Sequence, residues 1–207
     1  MSSPDITIIT DILGLDDSMD RFIINECTLY SRFYGFKGKA IKLYGIHISY
    51  FQYTQTREIK NCELVNFHSC IGVLYGIDYL LRCMKKCQIL ICIESDITHD
   101  ILNHLVLLKN VRTLHVEYSP EEMDKSFEIY EGNKNQIAIL DRIIFRNLRV
   151  PDLSYFKKCS DVHLSNCIVT DQNLSQLKNA KSIILENCRG VTGSFRQGME
   201  FCKIVMN

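Results

Sequence analysis

Cys83, Cys87 and Cys92, with His68, His99 and His104 nearby, are the residues whose types and spacing come nearest to a reactive centre. Thiolate and imidazole donors of this kind can surround a zinc ion as a tetrahedron. The spacing argues against it, because no Cys-x-x-Cys pair occurs in the 207 residues. His99-Asp100 has the two-letter form found in some metal phosphohydrolases, yet two letters without distant partner ligands specify no metal site. "GFKGKA" (35–40) lacks the length and the hydroxyl residue of a phosphate-cradling loop. No Gly-x-Ser-x-Gly elbow occurs, and "GVTGSF" (190–195) fits a turn after a strand. A cysteine nucleophile needs a partly exposed, electropositive setting, which the sequence does not display. The expectation is a protein that binds rather than catalyses, with no cofactor and no metal.

Composition narrows the partners. Lysine plus arginine and aspartate plus glutamate both number 24, so the formal net charge is zero and nothing favours nucleic acid or an acidic membrane. No apolar run approaches the roughly 18 residues of a membrane span, since "IGVLYGIDYLL" (71–81) is broken by Asp78. The first residues, "MSSPDITIITDILGLDD", have neither a basic segment nor a continuous apolar stretch, so they do not read as a secretory signal. Without one, the ten cysteines lose their force as a disulfide framework. A soluble, cytoplasmic chain follows, with the nucleus compatible and the host cytoplasm implied if the source is a virus.

The cysteines instead mark a repeat. A shift of 72 carries Cys159 onto Cys87, Val162 onto Leu90, Leu164 onto Cys92, Val169 onto Ile97, Thr170 onto Thr98, Leu174 onto Leu102 and Leu177 onto Leu105. "LKNAKSIILEN" (177–187) lies over "LKNVRTLHVEY" (108–118) at a shift of 69. The unit is shorter than either shift, because Leu164 to Leu185 and Cys167 to Cys188 are both 21 residues. Within a unit, alternation at Val162 and Leu164 predicts a short strand, and the spacing of three at Leu174 and Leu177 predicts a turn or two of helix. Thr170 and Asp171 suit its start, because their oxygens can accept from unpaired backbone N–H groups. Strand, turn, helix, turn at this length is a leucine-rich repeat, whose units cover one another by stacking. Traced backward, the strand position falls at Leu185, Leu164, Phe145, Val116, Cys92, Phe67 and Leu43, at intervals of 21, 19, 29, 24, 25 and 24. An alternative register places the second strand at Ile59, with Asn61 and Cys62 in its turn. The long interval holds "EYSPEEMDKSFEIYEGNKNQ" (117–136), which reads as a longer loop or helix inserted on the edge.

"CSDVHLSNCIVTDQNLSQL" (159–177) followed by "AKSIILENCRGVT" (180–192) resembles the cysteine-containing leucine-rich repeats of F-box proteins. The match runs through Cys159, Val162, Leu164, Cys167, Val169, Thr170, Asp171, Leu174 and Leu177, then Ile183, Leu185, Cys188, Val191 and Thr192. It implies an α/β solenoid of six to seven irregular repeats over residues 37–207, with a curved parallel sheet on the concave side and short helices on the convex side. Residues 3–34 resemble an F-box in spacing, with Pro4, then Ile8, Ile9, Ile12, Leu13 and Leu15, an acidic break, then Met19, Phe22 and Ile23. That resemblance implies that these nine residues dock the Skp adaptor of a cullin-RING ubiquitin ligase. Cys27 follows some two dozen residues after the proline; the leucine usual before the proline is Ser3, the glutamate usual soon after it is replaced by Ile6, and the tryptophan usual after the cysteine has no clear counterpart. The other reading of residues 1–36 is a helical cap over the first repeat.

Repeat geometry also predicts a binding face. Side chains between and beside the two buried positions of each strand point to the concave side: Thr113, His115 and Glu117; Arg142, Ile144 and Arg146; Asp161, His163 and Ser165; Ser182, Ile184 and Glu186. Exposed isoleucines beside arginines suggest a protein or peptide partner. Two functions stay open, a substrate-recognition subunit of a ubiquitin ligase and a free-standing scaffold, decoy or inhibitor. Phe195, Phe201, Ile204 and Val205 would cover the last repeat or meet a second copy of the chain.

Overall fold

The computed structural model describes residues 21–25, 39–45, 59–71, 74–128, 137, 139–197, 199 and 201–207. Nine strands lie side by side in chain order, each parallel to the next. They are β1 (Arg21–Asn25), β2 (Ala40–Tyr44), β3 (Leu64–His68), β4 (Ile89–Ile93), β5 (Thr113–Glu117), β6 (Arg142–Arg146), β7 (Asp161–Ser165), β8 (Ser182–Glu186) and β9 (Lys203–Met206). The described helices between them are short: α1 (Leu74–Cys83), α2 (Thr98–Asn103) and α3 (Asp171–Leu174), with 3-10 turns at Leu105–Leu107, Pro120–Glu122, Leu153–Phe156 and Ser194–Arg196. The architecture is α/β, with a repeat-like parallel sheet. Parallel neighbours in chain order require every connection to cross back over the sheet. None of the described helices is long and apolar enough to cross a membrane.

Alternation fixes the register. Each of the seven traced positions, from Leu43 to Leu185, is the fourth residue of its strand. In β2 to β8 the second and fourth side chains are at most 2% exposed and join the side chains of the connections in one continuous core. Burying one such Leu, Ile, Val or Phe contributes about 1.5–3 kcal/mol, and a slip of one residue would turn the whole set outward. The register with a strand at Ile59 is not adopted. Ile59 is buried in a helical turn ahead of β3, its carbonyl accepting from the Cys62 N–H at 2.9 Å. The helix expected at Leu174 and Leu177 is one turn long; Thr170 caps it, its Oγ1 accepting from the Asn173 N–H at 3.2 Å.

Both ends of the sheet extend further than expected. β1 lies inside residues 1–36, so Phe22 and Ile23 belong to a strand paired with Ile41 and Lys42 and not to a helix. Pro4, Ile8, Ile9, Ile12, Leu13, Leu15 and Met19 lie outside the described residues. At the other end β9 pairs with β8, setting Ile204 beside Ile183. The inserted stretch is anchored, with Phe127 buried and its ring edge-on to Phe145 at 5.4 Å; Phe145 meets Phe156 at 5.5 Å.

The residue after each strand turns the chain. Gly45, Ser69, Glu94, Asn147, Asn166 and Asn187, one after each of β2, β3, β4, β6, β7 and β8, have φ between +46° and +63°. Asparagine tolerates this left-handed conformation better than most residues. Each backbone N–H here donates to the next strand or the residue after it, as in Asn147 to the Ser165 carbonyl at 3.1 Å and Asn166 to the Glu186 carbonyl at 2.8 Å. The asparagine side chains add a ladder: Asn166 Nδ2 donates to Asn147 Oδ1 at 3.2 Å, and Asn147 Nδ2 to the Tyr118 carbonyl at 2.9 Å.

One position further on sits a small donor. The side chains of Cys70, Ser95, Cys167 and Cys188 donate to the carbonyls of Leu43, Phe67, Phe145 and Leu164, each the fourth residue of the preceding strand, at 3.1–3.4 Å. Cysteine and serine are thus interchangeable here, because the requirement is a small group that satisfies a buried carbonyl.

Candidate binding face

The face of the sheet turned away from the main core divides into two zones. Over β2 to β4 it is largely buried, with Ala40, Leu64, Ile91 and Ile93 in a small second cluster, Lys42 and Asn66 buried beside them, and Tyr44 exposed. Lys42 Nζ lies 5.5 Å from the centre of the Tyr44 ring, a cation–π contact. From β5 to β8 the face becomes polar.

Strand register brings all twelve expected residues of the second zone into three rows. Thr113, Arg142, Asp161 and Ser182 form the first; His115, Ile144, His163 and Ile184 the second; Glu117, Arg146, Ser165 and Glu186 the third. With neighbouring strands about 4.8 Å apart, the array is about 14 Å wide. Two of the twelve are not exposed as expected. Ile144 is 1% exposed and His115 3% exposed, because the middle row is hemmed in by both outer rows and by its own neighbours. Ile184 remains half-buried.

Charge is distributed unevenly over the array. Glu117 Oε2 lies 3.2 Å from His115 Nε2 and 3.9 Å from Arg146 Nη1, and Glu186 Oε2 lies 3.0 Å from His163 Nε2. Burial pushes the Glu117 carboxyl up, but His115 and Arg146 beside it outweigh that and hold it below its usual range. Contact with His163 lowers Glu186 in the same way. Burial lowers His115, so its imidazole is neutral at pH 7.

Arg142 differs. Its guanidinium makes no ion pair or side-chain hydrogen bond among the described residues, although Asp161 is its neighbour in register. It borders an open cavity of about 150 Å³ with Ile144 and Ile184 at its base and Asp161, His163 and Ser182 around it. An unpaired arginine beside apolar surface is the combination that carries energy in many protein interfaces.

The cysteines and histidines considered for zinc do not converge. Cys87 and Cys92 point into the core, Cys83 ends α1, and His104 Nε2 contacts Asp78 at 3.2 Å. Among the described residues no group of three or more His, Cys, Asp or Glu is arranged to hold a metal ion. Burial pushes the thiols of Cys62, Cys87 and Cys159 up to about 12, far from a nucleophile's range.

Sequence reasoning did not single out a cavity of about 330 Å³ at the carboxyl ends of β4 and β5, bordered by Glu94, Asp96, His99, Tyr118, Glu122 and Lys125. Its one lysine is already paired, with Lys125 Nζ at 2.5 Å from Glu122 Oε1. A polar residue following a strand, as Glu94 does, was the available signal. Compared with known proteins, the chain matches no family model and no curated relative.

Proposed function

We propose that this chain is a leucine-rich-repeat module that binds a target protein on the sheet face between β5 and β8. The observation that carries this reading is the unpaired Arg142 guanidinium beside half-buried Ile184, over an open cavity. Beside it, Glu117 contacts His115 and Arg146, and Glu186 contacts His163. Ile144, being buried, supports the face from beneath and is not a contact residue.

The test is selection of a random-peptide display library on the immobilised protein, followed by binding to the Arg142→Glu, Ile184→Glu double variant. Both positions lie on the surface array, so the variant keeps the melting temperature within a few degrees. Binders that lose at least tenfold in affinity on the variant support the proposal. A selection yielding no binder, or only binders indifferent to the variant, refutes it.

The cysteine spacing at Cys159, Cys167 and Cys188, which resembles the repeats of F-box proteins, favours a narrower form. In it the module is the substrate-recognition subunit of a Skp-cullin-F-box ubiquitin ligase. Because β1 takes Arg21–Asn25 into the sheet, an adaptor-docking helix has to lie before Arg21. Saturable binding to a Skp adaptor that disappears when residues 1–20 are deleted supports this form. A folded, full-length chain that ignores the adaptor leaves the free-standing module.

A further inference from the structure

We propose that the cavity at the carboxyl ends of β4 and β5 receives the side chain of an arginine carried by a partner chain. The turn after β4 and the start of α2 contribute Glu94, Asp96 and His99 to it, and the stretch inserted after β5 contributes Glu122 and Lys125. That stretch is held in place without a ligand. Phe127 packs edge-on to Phe145, and the Arg149 N–H donates to the Lys125 carbonyl at 2.9 Å. The cavity is therefore preformed, and it shares no residue with the Arg142 cavity, so the inference does not rest on the function proposed above.

Its polar groups await a cation. Three carboxylates border it against one lysine, which is committed to Glu122. Glu94 Oε2 lies 3.9 Å from His68 Nε2, beyond hydrogen-bond reach, and the Asp96 carboxylate makes no ion pair or hydrogen bond among the described residues. Glu94 occupies the left-handed turn position, at φ +46°, where the other turns use Gly45, Ser69, Asn147, Asn166 and Asn187. A glutamate gains nothing from that conformation, so its carboxylate is the part with a use. Tyr118 supplies an independent sign. It borders the cavity and is only 9% exposed, yet its hydroxyl has no hydrogen-bond partner among the described residues. A buried hydroxyl left unmatched costs free energy that a ligand can recover. Burial, with Cys92 and the cavity's own Glu122 adding to it, pushes that hydroxyl up to about 12, so it stays protonated and keeps its lone pairs for a cationic donor. The cation is not a metal ion, because no three of the described carboxylates, imidazoles and thiols are arranged to hold one, and about 330 Å³ far exceeds an ion. A guanidinium carries five N–H donors in a rigid plane and can serve separated carboxylates and a hydroxyl at once, which the compact ammonium of lysine cannot. An acidic border repels the α-carboxylate of a free amino acid, which favours an arginine within a chain.

The experiment is titration of the isotope-labelled full chain with N-acetyl-arginine amide to about 20 mM, followed by backbone amide chemical shifts. Saturable shifts at Glu94, Asp96 and Ser119 with a dissociation constant of about 1 mM are expected, the range open to a ligand of this size. The Glu94→Gln, Asp96→Asn double variant weakens binding at least tenfold, and Tyr118→Phe about tenfold. Both variants keep the shape of the residues they replace, so the melting temperature stays within a few degrees of wild type. N-acetyl-citrulline amide, which has the same outline without the charge, produces no saturable shift, and N-acetyl-lysine amide and free L-arginine bind more weakly than the arginine amide. The proposal is overturned if these amides show no saturable shift, if either folded variant binds as wild type does, or if the citrulline, lysine or free-arginine probe matches the arginine amide.

Discussion

Asn147 offers a direct test of the turn that follows each strand. It is 7% exposed, sits at φ +53°, donates from Nδ2 to the Tyr118 carbonyl at 2.9 Å and accepts at Oδ1 from Asn166. Two costs follow from removing it, and they are separable. Alanine in the left-handed conformation costs about 1 kcal/mol or somewhat more. Leaving the buried Tyr118 carbonyl without its side-chain donor costs about 1–3 kcal/mol. Asn147→Ala incurs both, about 2–4 kcal/mol, while Asn147→Gly, which adopts positive φ without strain, incurs chiefly the second and is milder by about 1 kcal/mol. Urea unfolding followed by circular dichroism, with midpoints converted at constant slope, resolves a difference of this size. Two results refute the reasoning. Equal losses for alanine and glycine mean that the backbone conformation is not what selects asparagine; losses below about 0.5 kcal/mol for both, the ordinary surface value, mean that the ladder contributes nothing.

Two further outcomes follow from the titrating groups. His115, lowered by burial from its ordinary 6.5, stays neutral in the fold while the unfolded chain protonates, so stability falls as pH drops below about 6.5. Glu117 and Glu186, held below their ordinary 4.5, add a second loss as pH falls through their folded values. Melting temperature measured from pH 8 to 3 therefore declines in two stages, and His115→Gln flattens the first; an unchanged first stage contradicts the assignment. Among the described cysteines, contact with Cys167 lowers the half-buried Cys188 thiol below its ordinary value, while burial raises Cys62, Cys87 and Cys159 to about 12. Iodoacetamide at pH 7.5 with mass-spectrometric mapping should alkylate Cys188 first, and the other three only after unfolding.

What the sequence made legible was whatever depends on period. Two buried side chains per strand at intervals of 19 to 29 residues located every strand from β2 to β8, because burial on one face leaves no freedom of register. The outermost strands obey the same arithmetic. Ile24 precedes Leu43 by 19 residues and Met206 follows Leu185 by 21, intervals already present inside the chain. β1 was obscured because its apolar residues also fit a helical face, and β9 because a four-residue strand at an edge carries little pattern. The turn asparagines were visible as Asn166-Cys167 and Asn187-Cys188, with Ser69-Cys70 as the serine version. The exposure of Ile144 and His115 was not legible. Alternation tells which face a side chain occupies and says nothing of how tightly its neighbours close over it.

The same distinction explains why the candidate binding residues gather where they do. Second and fourth strand positions, the left-handed residue and the small donor after it are all committed to holding one repeat on the next. The first, third and fifth positions are left to vary, and over β2 to β4 five of the nine, Ala40, Leu64, Ile89, Ile91 and Ile93, join a second apolar cluster. Only from β5 to β8 do they combine partial exposure with charge. There Glu117 contacts His115 and Arg146, Glu186 contacts His163 and Asp161 accepts from Ser160, while Arg142 makes no ion pair among the described residues. A charge already paired within its own face gains little from a partner, since its desolvation on binding offsets the new contact. An unpaired guanidinium at the border of an apolar cavity has that contact still to gain, so substitution of Arg142 should weaken target binding more than substitution of Arg146, which Glu117 already holds.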